Sequence, residues 1–150
     1  MQVWSCDFRE NSGEGRLARL FVKNLSRKFP HKINVISPDY NYKIINGKIK
    51  KKIKKKKINY ESFYYKYIFP LIGCIYSWYY LIRGTSFTYV NYLPLWNFLI
   101  FTTLAPTTNI GPITGAINFE TKYKKVLIKF LYKISKPILI LRFKNIIFST

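Results

Sequence analysis

Two glycine-bearing segments, each following a short apolar run, hold the residues whose types and spacing could do chemistry. The first runs from Val3-Trp4-Ser5-Cys6-Asp7 into Arg9-Glu10-Asn11-Ser12-Gly13-Glu14-Gly15-Arg16. The second runs from Phe87-Thr88-Tyr89-Val90-Asn91-Tyr92, through a helical stretch, to Ile110-Gly111-Pro112-Ile113-Thr114-Gly115. Strand, glycine loop and helix in succession are how α/β proteins set backbone N–H groups against a phosphate or a sugar. In the first segment Gly13 and Gly15 would let the backbone approach a ligand, and Arg16 would offer a guanidinium fork to phosphate. An ordinary capped turn between strand and helix has the same pattern. In the second segment the rigid Pro112 between glycines either shapes a pocket against the first loop or simply reverses the chain. Four of the seven glycines fall in these two segments, a concentration that points to a backbone requirement.

Asp7 and Glu10 lie at the end of the first strand, where they could touch a substrate, although Glu10 equally suits a solvated loop. The acids number only six, Asp7, Glu10, Glu14, Asp39, Glu61 and Glu120, and no pair at a defined spacing marks acid–base catalysis. No catalytic residue is therefore assigned. His31 is the single histidine, so no metal site can be built around it, and no cofactor is indicated. Cys6 and Cys74 are far apart; two isolated thiols read as reduced core residues in a reducing compartment.

These residues need a scaffold, and the periodicity supplies one. Gln2 to Cys6 reads as a buried strand. Glu14 to Lys28 reads as an amphipathic helix, with Leu17, Leu20, Phe21 and Leu25 on one face, opened by Gly13 and Gly15 and closed by Pro30. Lys32 to Ser37 follows as a second strand, completing a βαβ unit. Residues 60–83 predict a helix kinked or restarted at Pro70. Phe87 to Tyr92 predicts a strand, Pro94 to Thr103 a short helix, Thr107 to Ile110 a strand feeding the Gly111–Gly115 loop, Lys122 to Arg142 a helix bent or interrupted at Pro137, and Asn145 to Ser149 a last strand. Alternating strands and helices in 150 residues predict a single α/β domain, three layers deep, Rossmann-like, with a mostly parallel sheet.

The composition sets the class of partner. Hydrophobic residues make up 49%, enough for a packed core, and the formal charge of +20 favours anions. Lysine outnumbers arginine 20 to 6, which argues against base-reading and makes nucleic acid a poor candidate. Eight of the ten positions Lys48–Lys57 are lysine, behind an Asn46-Gly47 turn. Residues 39–59 thus read as a basic, partly ordered hairpin insertion, and the aromatics that follow at Tyr60, Phe63, Tyr64 and Tyr65 suit an anionic membrane surface. The charged residues Asp7, Arg9 and Glu10 stand where a signal peptide would need an apolar run. Residues 67–82 and 87–110 carry no charge, so a small basic membrane protein with two short spans is a second reading.

The segment Gly13-Glu14-Gly15-Arg16-Leu17-Ala18 is similar to the glycine loop and first helix of the N-terminal, acceptor-side domain of GT-B glycosyltransferases of the family 4 type. Asn91-Tyr92-Leu93-Pro94-Leu95-Trp96 resembles the strand and helix before that domain's next loop, Ile110-Gly111-Pro112-Ile113-Thr114-Gly115 resembles its GPIGG segment, and Ile146-Ile147-Phe148-Ser149-Thr150 resembles a later strand. Thr114 departs from the glycine of that segment, and the lysine block has no typical counterpart. The resemblance implies a Rossmann-like half that meets a nucleotide-sugar donor only through a second domain, of which this sequence holds no part. It implies that Gly13, Gly15 and Arg16 line the interdomain cleft and that Asn91, Gly111, Pro112 and Gly115 shape a site for a glycan or lipid-linked acceptor. It places the chain on the inner face of the cytoplasmic membrane, inactive alone.

Overall fold

The computed structural model describes residues 1–28, 32–54, 59–95, 97–114 and 122–148. Seven strands form one sheet in the order β4-β3-β2-β1-β5-β6-β7. Strand β1 (Gln2–Ser5) sits near the middle, parallel to β2 (Ile33–Ile36) on one side and to β5 (Phe87–Pro94) on the other. Strands β6 (Asn109–Thr114) and β7 (Ile146–Phe148) extend the parallel part. Strands β3 (Tyr40–Ile45) and β4 (Lys48–Lys54) add an antiparallel hairpin at the other edge.

Alternation along the strands divides the core. Val3 faces helix α1 (Gly13–Lys28), with Ala18, Val22, Ile33, Val35, Ile44 and Val90 around it. Trp4 faces the opposite layer, built from α2 (Phe69–Ile82), α3 (Phe98–Thr103) and α4 (Lys122–Arg142). Burial of Trp4, Phe87, Tyr89, Phe101, Ile110 and Leu139 drives that larger cluster. The architecture is therefore α/β, with helices on both faces of a mostly parallel, mixed sheet, as the strand–helix alternation indicates.

Five local outcomes differ from or refine the periodicity. The hairpin joins the sheet rather than hanging from it: Tyr42 and Ile44 are buried under α1, and the Gly47 N–H donates to Ser26 Oγ on that helix. Its turn takes positive φ at Asn46 and Gly47, as an Asn-Gly turn requires. Lys55–Lys57 lie outside the described residues. The aromatic segment divides into a short π-helix, Tyr64–Ile68, and α2, with Pro70 in α2's first turn, where a missing N–H costs nothing. Strand β5 runs on through Pro94, so α3 starts only after Asn97, whose side chain accepts the Ile100 N–H at 3.3 Å. Helix α4 continues through Pro137.

The fifth concerns the second glycine segment. Gly111 to Thr114 belong to β6, because Ile110 and Ile113 are both fully buried in the same cluster and hold the chain extended. Among the described residues no helix is long and apolar enough to cross a membrane. Helix α2 spans about 21 Å at 1.5 Å per residue, and residues 87–110 divide among a strand, a short helix and the start of another strand.

Candidate functional site

In an open parallel sheet, ligands bind outside the carboxyl ends of the strands, where the connections diverge to opposite sides. Here that point lies between β1 and β5, since β1 leads through α1 to β2 on one side while β5 leads to β6 on the other. A narrow crevice of about 10 Å³ opens there, lined by Asp7, Glu14, Ala18, Val90, Asn91, Tyr92 and Pro112. The three parts come from the end of β1 and the start of α1, from β5 and from β6.

Two register shifts build the cleft. On β5 three steps separate Val90 from Leu93, while the partners on β6, Gly111 and Ile113, are two steps apart. On β6 three steps separate Ile110 from Ile113, while Ile146 and Phe148 on β7 are two apart. Each strand carries one extra residue against its neighbour, and such bulges re-aim side chains beside functional sites. Asn91 and Tyr92 lie in the first bulge, and Gly111 and Pro112 in the second. Gly111 has φ 142°, and a Cβ there would stand 2.5 Å from the Ile147 carbonyl oxygen, so only glycine fits. The Gly111–Pro112 peptide is cis.

The first glycine loop is held from within. Asp7 accepts the Arg9 backbone N–H at 2.9 Å and the Arg9 guanidinium at 2.8 and 3.1 Å. That guanidinium also lies over the Tyr60 ring, 3.8 Å from its centre. Burial pushes the Asp7 carboxyl up, but the hydrogen bonds from Arg9 and Ser12 outweigh it and hold its pKa below the usual value. Glu14 behaves oppositely. Exposed as a residue, it loses water where it faces the cleft, and this, followed by repulsion from Asp7, raises its pKa. Two carboxyls on one cleft, pushed apart in pKa, are an arrangement that can hold one proton and one fixed charge.

The residues singled out from the sequence are thus partly gathered. Asn91 and Pro112 line the cleft. Gly13 is exposed with open space around it and is not part of the lining. Gly15 is buried, and a Cβ there would overlap the Arg9 carbonyl oxygen and stand 2.5 Å from Arg9 N and 2.7 Å from Ser12 Oγ. The backbone that Gly15 admits is therefore that of Arg9. Ser12 caps α1, accepting the Gly15 N–H at 2.9 Å. Arg16 is exposed and outside the cleft lining. Gly111 packs on Ile147, and Gly115 lies outside the described residues. Glu10 pairs with Arg19 at 2.9 Å in solvent.

Sequence reasoning assigned no role to Glu14 or Tyr92. Glu14 was visible only as an acid in a helix's first turn, and Tyr92 depends on a bulge that strand periodicity does not reveal. Among the described residues no group of three His, Cys, Asp or Glu side chains could hold a metal ion. A larger hollow lies at the opposite ends of the strands, between α1 and β5–β7, lined mainly by apolar atoms of Met1, Phe21, Leu25 and Ile33. It lacks convergent charge, so the cleft at the switch point is the better candidate.

The fold and cleft define an α/β domain with a potential ligand site at its topological switch point. Comparison with protein-family models, curated proteins and solved structures found no match.

Proposed function

We propose that this chain is the acceptor-side, Rossmann-like half of a glycosyltransferase, moving a sugar from a nucleotide-linked donor to a glycan or lipid-linked acceptor when a second domain supplies the donor site. One observation carries the reading: Asn91 and Pro112, drawn from two separated motifs, meet Asp7 and Glu14 in one cleft at the switch point. At about 10 Å³ the crevice is far below the roughly 300 Å³ of small-molecule sites, so in this reading it is one wall of an interdomain site and not a pocket in itself.

In this scheme Asn91 and Tyr92 hydrogen-bond and orient the acceptor. Glu14, with its raised pKa, takes the proton of the acceptor hydroxyl as its oxygen attacks the sugar's anomeric carbon. The bond to the donor phosphate breaks, and the nucleotide departs with the bonding pair. Asp7 is neutralised by Arg9 and keeps the loop in place. Positioning and stabilisation of the leaving phosphate supply most of the acceleration.

The test is a nuclear magnetic resonance titration of the 150-residue chain with a panel of neutral and lipid-linked glycans, alongside a radiolabelled nucleotide-sugar transfer assay. Shifts at Asn91, Tyr92 and Glu14, lost in Asn91→Ala, together with no turnover by the chain alone, are expected. Transfer by the isolated chain, or glycan binding indifferent to Asn91, would overturn the proposal.

A further inference from the structure

Helix α2 has the sequence FPLIGCIYSWYYLI, without one charge, yet only Phe69, Gly73, Cys74 and Ser77 are buried. At 100° per residue, Ile75, Trp78, Tyr79 and Ile82 project from the side opposite those four. All four are exposed, Ile75 at 69% and Ile82 at 85%. The same layer leaves Leu99 on α3 and Phe130 and Leu141 on α4 exposed, Leu141 at 84%. Scattered exposed apolar residues are normal, but one helical layer that concentrates so many is an interaction surface.

The charge around this surface has one sign. None of α2, α3 and α4 contains an acidic residue. Lys129, Lys133 and Lys136 share one flank of α4 and are exposed, and none forms an ion pair with a described carboxylate. Arg83 closes α2 with its guanidinium 4.6 Å from the centre of the Tyr79 ring. Two polar side chains among the apolar ones have protein partners. The Trp78 indole N–H donates to the Thr103 carbonyl at 2.7 Å, and the Thr102 hydroxyl donates back to the α3 backbone. These groups can leave water without stranding a donor.

We propose that the outer surface of the α2–α3–α4 layer lies on an anionic lipid bilayer, with its aliphatic and aromatic side chains at the headgroup boundary and its lysines on the phosphates. Tyrosine and tryptophan favour that boundary, and lysines flanking an apolar face attract acidic headgroups. A second copy of the chain would bring +20 against +20, which favours an anionic occupant over self-association. No described helix can cross the bilayer, so the contact is lateral. This surface is distinct from the lysine-rich hairpin and does not depend on the sugar-transfer reading.

Flotation of the whole chain with phosphatidylcholine vesicles, with and without 30% phosphatidylglycerol, tests it. The chain should float with the acidic vesicles, and its tryptophan emission should shift blue, a shift lost in Trp78→Phe. Ile75→Glu/Ile82→Glu should abolish flotation, and replacing Lys129, Lys133 and Lys136 by Gln should weaken it about a hundredfold, at roughly fivefold per lysine. Replacing Lys48, Lys50 and Lys52 by Gln should leave most of the binding. Circular dichroism checks that each variant is folded; Leu141→Glu serves if the double variant is not. Absence of flotation, loss through the hairpin variant while the helical variants still float, or capture by a protein partner alone would overturn the proposal.

Discussion

Gly13 and Gly15 look equivalent in the sequence, and the structure assigns them opposite responses to one methyl group. Neither has positive φ. An alanine Cβ at Gly13 meets nothing within 4 Å, so Gly13→Ala should gain up to the ~1 kcal/mol by which alanine exceeds glycine in a helix. At Gly15 the same gain is offset by contacts with backbone, which cannot swing aside as a side chain can. Either α1 or the Asp7–Arg9 loop must move. Overpacking costs about 1–3 kcal/mol, and displacing α1 also disturbs the Ser12 cap, a loss of ~1 kcal/mol. The net expectation for Gly15→Ala is a loss of about 1–3 kcal/mol, or roughly 2–4 °C in Tm for each kcal/mol in a chain of this size. Urea denaturation of both variants, with unchanged m-values, measures the difference. Equal midpoints for the two variants would refute the reasoning and leave Gly15 free to face a ligand.

Gly73→Ala should destabilise by about 1–3 kcal/mol, because its Cβ would stand 2.5 Å from Trp4 Nε1 and 2.7 Å from Tyr89 Cε2; thermal unfolding followed by circular dichroism reads it. The Asp7 carboxyl, held below its ordinary 3.8, binds fewer protons folded than unfolded, so its stabilising share is complete above that pH and is lost as pH falls through the folded value; Asp7→Asn should flatten this acid limb in urea midpoints measured from pH 2 to 5. Glu14 carries the opposite sign: held above 4.5, its ionisation lowers stability as pH rises past that value, so Glu14→Gln should be more stable than the parent at pH 7 and lose that advantage at pH 4. Burial pushes the Cys6 thiol up to about 12, leaving on the order of one thiolate in ten thousand at pH 8, so half-buried Cys6 should react with thiol reagents far more slowly in the folded chain than in the urea-unfolded one.

The central strands and the long helices were legible because their signals are local. Val3 and Trp4 alternate between faces, Ala18 and Val22 recur at helical spacing, and Asn46-Gly47 dictates its own turn. The π-helix before Pro70 and the extension of β5 through Pro94 were not, since aromatic runs and prolines mark boundaries without fixing which side is helical. Asn91 and Pro112 were singled out from short motifs, and their meeting required a parallel register between segments twenty residues apart. Their aim depends on two successive bulges, which no period of 2 or 3.6 encodes. Gly15 was noticed for its type, while its reason, the Arg9 backbone, lies in the preceding loop. The Arg9 stack on Tyr60 joins positions fifty residues apart and has no local signal.

The lysine-rich strand β4 has a second consequence, at the boundary of the sheet. An open sheet ends in unpaired N–H and C=O groups that can recruit strands from other molecules. Among the described residues one edge is β7. The other is β4, seven residues long, which would be a good template if it were apolar. Instead Lys48, Lys50 and Lys52 stand along it, with Ile49 and Ile53 exposed beside them, and pairing two such edges would crowd like charges. The β4 edge is thus guarded by repulsion, in a chain otherwise rich in β-forming isoleucine and tyrosine.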